Sequence, residues 1–402
     1  MIAPMNGSFD DGRTRNRIAT WLACLLAPLW MSAVSAEPKP APLATPPAHH
    51  RGDRYQNNYL EFEPKGLGAL LRWKIDSTRD GLPKPPSTPI PQVAPDLAFI
   101  MSNAKAGPMM QPAVTWIGHA STLAQLGGLN VLTDPVFSER VSPLSFVGPK
   151  RHVAPALLPN QTPAQLPHID LVLISHNHYD HLDDASVRAL ANQSDGPPLF
   201  IVPLGIKAWM AERGIVNVVE LDWWQSHPVP TPGGQVEVVL TPSQHWSGRG
   251  LNDRMATLWG SYAVFAPDCH LFFSGDTAYS KDFRDIHERF ATLQQGGGFD
   301  VALIAIGAYE PRWFMSTQHM NPAEAVQIHL DIASKLSIGI HWGTFELTDE
   351  SLDEPPRHLA DARRAKGLAD DAFITLAIGQ TRKLPRRAVV SPSAAAAASA
   401  PP

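Results

Sequence analysis

The sequence has 402 residues, 44% of them hydrophobic and 18% charged, a balance that supports a sizeable core and excludes a disordered or fibrous chain. A formal net charge of −5 supplies no basic surface for tracking phosphates, which argues against a polynucleotide substrate. Thirty-nine prolines against 28 glycines, crowded at the two ends and in the connections, predict many loops.

Residues 1 to 36 read as a secretory signal. Arg13, Arg15 and Arg17 precede an apolar run from Ile18 to Val34, and Val34-Ser35-Ala36 offers small residues at a cleavage site. The run contains Pro28 and is short for a membrane span, so export to a periplasm is expected, with an uncleaved inner-membrane anchor as the alternative. Cys24 lies inside this segment and leaves Cys269 alone in the mature chain, without a partner for an intramolecular disulfide.

Residues 37 to 110 divide into a Pro-, Ala- and His-rich leader, read as mobile to about residue 56, and an extension packed on the main domain. Leu60, Phe62, Leu67, Leu70, Leu71 and Trp73 supply its apolar positions. The main domain is expected over 111 to 385, and the Ala-, Ser- and Pro-rich residues 386 to 402 read as a disordered tail.

Within the main domain, short apolar runs alternate with turn residues and a few helical stretches, the pattern of a mixed α/β protein. Strands are predicted at Ala113–Ile117, Leu129–Thr133, Leu171–Ile174, Leu199–Val202, Val236–Leu240, Leu271–Phe273, Val301–Ile306 and Ile338–Ile340. Helices are predicted at Ala185–Ala191, Leu204–Arg213 and Pro322–Ser334, the last with Asn321 as its cap and Pro322 in its first turn.

The chemistry stands at the ends of those strands. Leu171-Val172-Leu173-Ile174 runs into Ser175-His176-Asn177-His178-Tyr179-Asp180-His181, which packs three histidines and an aspartate into one turn. Imidazole and carboxylate are donors that zinc accepts, and a compact loop directs them at neighbouring ions with little chain-entropy cost. Isolated histidines usually cap, pack or face water; four donors this close after a buried strand point to metal.

His176-x-His178-x-Asp180-His181 after an apolar strand resembles the signature of the metallo-β-lactamase superfamily. That resemblance requires further ligands downstream, and His245, Asp276 and His341 each close an apolar run in the required order. It implies that His176, His178 and His245 hold one ion, that Asp180, His181 and His341 hold a second, and that Asp276 bridges them. The implied cofactor is two Zn2+ per chain, although the donor set also suits other divalent metals. The implied fold is a four-layer αβ/βα sandwich of two mixed sheets.

Within the superfamily, residues 59 to 379 are most similar to the N-acylphosphatidylethanolamine-hydrolysing phospholipase D group. Thr115-Trp116-Ile117-Gly118-His119-Ala120-Ser121, Leu132-Thr133-Asp134-Pro135, Gln244-His245-Trp246-Ser247, Thr257-Leu258-Trp259-Gly260-Ser261 and Pro311-Arg312-Trp313-Phe314 carry the likeness. It implies a phosphodiester hydrolase of the phospholipase D type, in which hydroxide between the two metals attacks phosphorus, with Asp180 and Asp276 in the catalytic centre. A lactonase or other small-ester hydrolase, with attack on carbonyl carbon, is the alternative. A non-enzymatic exported metal-binding scaffold is the second. Redox chemistry is disfavoured because the superfamily's redox members place a carboxylate where His178 stands.

The resemblance also places His319 beside the substrate phosphate, in Gln318-His319-Met320-Asn321-Pro322 at a helix start that could offer backbone donors. Tyr179 is a candidate substrate-binding hydroxyl, its other reading being a packing residue. His119 reads as an orienting or structural histidine, and Asp134 and Asp183 as orienting or capping carboxylates. Trp246, Trp313, Phe314 and Met315 offer an apolar surroundings for a lipid, with core packing as the plainer reading. The expected partner is a phospholipid or other small phosphodiester, with peripheral membrane contact and no nucleic acid; the oligomeric state is left open, a homodimer being one option.

Overall fold

The computed structural model describes residues 47–387, apart from residues 63, 145, 159–164 and 296. The signal-like segment and the tail beyond residue 387 lie outside the described residues. No helix among them is long and apolar enough to cross a membrane.

The chain opens with a small hairpin, β1 (His50–Arg51) and β2 (Arg54–Tyr55), then α1 (Leu67–Asp80) and α2 (Leu97–Ala104). An antiparallel run follows through β3 (Ala113–Gly118), β4 (Ser121–Leu126) and β5 (Leu129–Thr133). Next come β6 (Leu171–Leu173), α3 (Asp184–Ala191), β7 (Leu199–Pro203), α4 (Ile206–Ala211) and β8 (Val218–Leu221). The second half holds β9 (Ser226–Thr231), β10 (Gly234–Thr241), β11 (Ser261–Ala266), β12 (Cys269–Phe273), α5 (Asp282–Phe290) and β13 (Val301–Ala305). It ends with α6 (Arg312–Met315), α7 (Pro322–Asp331), β14 (Ser337–Ile340), α8 (Glu354–Ala365), β15 (Phe373–Thr375) and β16 (Thr381–Lys383).

These strands form two seven-stranded mixed sheets, β16-β3-β4-β5-β6-β7-β8 and β15-β14-β13-β12-β11-β10-β9. Alternation along β6 shows how they stack. Leu171 and Leu173 join the core shared by both sheets, whereas Val172 and Ile174 face the other way, into a second cluster with Val187 and Leu190 of α3 and Ile206 and Met210 of α4. On the far sheet, Phe283 and Ile286 of α5 and Ala325 and Ile328 of α7 pack the outer face. This is the four-layer sandwich that the resemblance implied.

The predicted strands and helices all occur, with ends that match or move by up to three residues as backbone pairing extends or stops them. Two of the unforeseen strands show why they escaped the sequence pattern. In β4, Thr122 and Gln125 break the apolar pattern, yet both are buried because Thr122 pairs with Thr133 at 2.9 Å and Gln125 donates to the Ile100 carbonyl at 3.0 Å. In β9, Pro228 and Pro230 look like strand breakers, but β9 is an edge, where a missing N–H is tolerated. Asn321 caps α7 through a capping box with Glu324, and Pro322 stands in its first turn.

The reading of a mobile leader to residue 56 is corrected for residues 47–56. Asp222 accepts hydrogen bonds from His49 (2.6 Å) and His50 (2.8 Å), which ties the hairpin to the end of β8. In the extension, Trp73 is buried and donates to Asp349 at 2.8 Å. Arg386 and Arg387, read as the start of a loose tail, are held by the Met110 carbonyl at 2.9 Å and the Asp300 carboxylate at 3.0 Å.

Candidate metal centre

Every candidate ligand stands just beyond the carboxyl end of a strand, the edge where loops of open α/β sheets converge. His176, His178, Asp180 and His181 follow β6; His245 follows β10, Asp276 follows β12 and His341 follows β14. His119 and Asp134 leave β3 and β5 at the same edge. Three of these residues sit in left-handed backbone, His119 (φ 54°), Asp134 (φ 29°) and His341 (φ 61°). That conformation is uncommon for a residue with a side chain and persists where surroundings hold it. Here the His341 amide donates to the His119 carbonyl at 2.9 Å, and the His119 amide donates to Thr344 Oγ1 at 2.9 Å.

The side chains gather into two groups, His176, His178 and His245 in one and His119, Asp180, His181 and His341 in the other. In the first, His178 Nδ1 lies 2.8 Å from His176 Nε2 and 3.3 Å from His245 Nε2. In the second, His341 Nε2 lies 3.1 Å from His181 Nε2 and 3.3 Å from Asp180 Oδ2. Tetrahedral bonds of about 2.0 to 2.1 Å place ligand atoms roughly 3.3 Å apart, so these spacings suit a shared cation. Asp276 stands between the groups, with Oδ2 3.0 Å from His181 and 3.9 Å from His176, and Oδ1 3.2 Å from His341. Oδ1 of Asp276 is buried without a hydrogen-bond donor, a costly condition that a cation relieves.

Hydrogen bonds behind the ligands fix which nitrogen faces the centre. His181 Nδ1 donates to Asp134 Oδ2 at 2.6 Å. The Ser175 hydroxyl donates to the same carboxylate at 2.5 Å and lies 2.9 Å from His176 Nδ1. His245 Nδ1 donates to the Gln318 carbonyl at 2.7 Å. In all three, Nδ1 is committed behind the ring, which turns Nε2 toward the centre.

Burial is nearly complete. Of the seven candidate ligands only His178 and Asp180 keep partial exposure. Burial, reinforced by neighbouring imidazoles, holds His176 and His178 well below the ordinary imidazole range. Burial likewise pushes His245 down to about 4 and His119 and His319 to about 3. His181 goes the other way: burial opposes its charge, but Asp276, Asp180 and Asp134 together hold it well above the usual value. His341 is raised to about 9, against burial, by Asp276 and Asp180. A cation in the second group would replace protons on these two histidines, so uptake should release protons and weaken in acid.

The other sequence candidates take varied places. His319 is buried, with Nε2 3.7 Å from Asp276 Oδ2. Of the backbone donors expected beside it, the Asn321 and Glu324 amides are engaged reciprocally by the capping box and Pro322 has no N–H. His119 Nε2 lies 3.2 Å from Asp180 Oδ2. Asp183 accepts from the Ser138 hydroxyl at 2.8 Å and from Ser186, joining the start of α3 to the loop after β5. Tyr179 donates its hydroxyl to the Arg249 carbonyl at 3.1 Å and carries the Arg249 guanidinium on its ring. These contacts are those expected of the packing reading. Trp246 packs edge-on to His178 at 4.2 Å and stacks with Phe62 at 5.4 Å. Trp313 is 42% exposed, whereas Phe314 packs on Trp73 and Met315 is buried.

Asn57 escaped sequence reading. Its side-chain amide makes a pair of bonds to the His245 backbone, donating to the carbonyl at 2.9 Å and accepting from the amide at 3.0 Å. Nothing in the polar run Gln56-Asn57-Asn58 signals this.

Comparison with known proteins agrees with this architecture. Residues 129–342 match the family model of the beta-lactamase superfamily domain. The chain is 40% identical over 276 residues to the Caenorhabditis elegans protein named N-acyl-phosphatidylethanolamine-hydrolyzing phospholipase D 1, covering 66% of this chain and 74% of that one. It is 36% identical over 381 residues to an uncharacterized protein of Mycobacterium tuberculosis, covering 90% and 93% respectively. Among solved structures, isothiocyanate hydrolase from Delia radicum gut bacteria shares the fold, with a TM-score of 0.51 at 17% identity over 67% of this chain and 98% of that one. The chain belongs to the metallo-β-lactamase superfamily, as one of its metal-dependent hydrolases.

Proposed function

We propose that the protein is a zinc-dependent phosphodiesterase of the phospholipase D type, which hydrolyses N-acylphosphatidylethanolamine-like phospholipids to N-acylethanolamine and phosphatidic acid. The observation that carries this reading is Asp276, a single buried carboxylate 3.0 Å from His181 on one side and 3.9 Å from His176 on the other. Two divalent cations held by these groups would supply the charge that lowers the pKa of water and offsets charge on phosphoryl oxygens.

The chain's own residues supply orientation and access. Asp134 and the Gln318 carbonyl hold His181 and His245 in the tautomer that turns Nε2 inward. His319, kept neutral by burial, stands where its ring can donate a hydrogen bond to a substrate oxygen. Ser175 is spent on Asp134, so the hydroxyl beside the ligands is not poised as a nucleophile.

The likeness to the Caenorhabditis elegans protein supports the choice of substrate. An apolar face for peripheral membrane contact is available on α1 and α6, where Leu67, Leu71, Ile75 and Trp313 are exposed. Export follows from the signal-like residues 1 to 36. The test is release of N-acylethanolamine from N-acylphosphatidylethanolamine by purified protein, with bound metal measured on the same sample and a chelated control. Chelator-sensitive release with about two metals per chain is expected. Full metal content with turnover of a lactone and none of the phospholipid would refute the phosphodiester assignment.

A further inference from the structure

Away from the candidate metal ligands, three guanidinium groups gather without an acidic partner among the described residues. A recess of about 410 Å3 is lined by Arg51, Arg54 and Arg254, with Tyr55, Phe62 and Met255 in its wall. Arg51 and Arg54 face each other across the β1–β2 hairpin. Like charges directly opposite on paired strands are destabilising unless something offsets them. Arg54 donates to the backbone carbonyls of Arg254 and Asn252, which draws the third arginine to the same place. The Arg254 guanidinium then lies 4.9 Å over the Trp246 ring.

Among the described residues, none of the three pairs with a carboxylate, and Glu61 is the one acid in the lining. Many other arginines pair with an acid, as Arg213 does with Asp184, Arg312 with Glu324 and Arg387 with Asp300, and those that do not, such as Arg151 and Arg249, stand singly on an aromatic ring. What sets Arg51, Arg54 and Arg254 apart is that three such groups line one recess in a chain of net charge −5. Guanidinium groups are weakly hydrated and present forked donors that match phosphate oxygens.

We propose that this recess is a second binding site, for a phosphate monoester anion, with Phe62 and Met255 against the apolar part of an amphiphilic ligand. It goes beyond the phosphodiesterase reading and does not depend on it. Free phosphate and a lipid headgroup share the recognised chemistry. The recess and the metal centre have a wall in common: Phe62 stacks on Trp246, whose ring meets His178, and Asn57 in the same lining holds the His245 backbone. An occupant therefore borders residues that support one of the two metal groups.

The experiment is calorimetric titration of the metal-loaded, full-length protein with dihexanoyl phosphatidate and, separately, with inorganic phosphate. Wild type is compared with Arg51→Gln/Arg254→Gln and with the single Arg51→Gln change, which alters an exposed hairpin residue and leaves the Arg254–Trp246 contact intact. Anion binding at the metals is common to all three proteins, so the difference isolates the recess, and metal content and circular dichroism are matched first. The expected result is a second class of site in wild type, about tenfold or more weaker in the double variant and less sensitive to salt there. Binding of both anions assigns free phosphate as a sufficient ligand; binding of phosphatidate alone assigns the lipid headgroup. Identical isotherms for wild type and both variants, with both anions, would overturn the proposal. No turnover is measured, so failure of the phosphodiester reading would leave this outcome unchanged.

Discussion

Asp134 accepts a 2.6 Å hydrogen bond from His181 Nδ1, and through Ser175 it also reaches His176. One buried carboxylate thus orients a ligand in each of the two groups. Asp134→Asn would place an amide donor or a weaker acceptor against His181 and disturb its tautomer. Metal affinity is expected to fall about 10- to 100-fold, the usual cost of losing such a partner. Unchanged affinity in a titration with a competing chelator would remove this role.

Asp276→Ala takes away the carboxylate shared by the two groups. Bound metal should drop below that of wild type, and hydrolysis should fall by at least ~10³. Mass spectrometry of the native protein and a turnover assay on one preparation would test both. Full activity in this variant would sink the two-metal mechanism.

His319 faces Asp276 at 3.7 Å and forms a further possible donor group with His245 and Asp276, but the resemblance gives it a place beside the substrate and no ligand role. His319→Ala should therefore keep its metals and lose turnover, by roughly 10²-fold if the ring donates to a developing oxyanion. An unchanged kcat and KM would return His319 to a structural role.

Asn57 lies outside the matched family domain yet holds the backbone of His245. Asn57→Ala leaves the His245 amide and carbonyl without those partners, and metal affinity is expected to weaken by about tenfold. Asn57→Asp retains the acceptor and should lose less. Equal affinity in wild type and Asn57→Ala would show that the rest of the loop suffices.

Acid sensitivity has a source remote from the metals. His270 is buried and pushed down to about 4, first by burial and then by Arg387, so the folded protein resists its protonation. Its contribution to stability is complete above an unfolded value near 6.5 and declines as pH falls from there toward 4. His270→Phe removes that titration while keeping an aromatic ring against Phe265. The denaturation midpoint of this variant should change less between pH 7 and 4.5 than that of wild type, and parallel pH profiles would contradict the assignment.

Much of the fold was legible where one physical constraint dominated. Leu171-Val172-Leu173 reads as a buried strand because every position is apolar, and Asn321-Pro322 reads as a helix start because cap and fixed φ act locally. β4 escaped notice because it carries polar residues whose burial depends on partners in other elements, as Gln125 depends on the Ile100 carbonyl in α2 and on Asn130 in β5. The hairpin at His50 escaped because its anchor, Asp222, lies more than 170 residues away.

The sequence by itself determined the donor types, their order and the turn that holds His176, His178, Asp180 and His181, since neighbours in one short loop need no tertiary information to be near each other. Only the folded sheets decided the rest. They bring His245, Asp276 and His341 from three other strand ends to the same edge, set Asp134 behind His181, and lay Asn57 against a ligand 188 residues away. Strand order fixes such meetings and hydrogen-bond direction fixes which nitrogen faces inward, and neither is written in the spacing of residues along the chain.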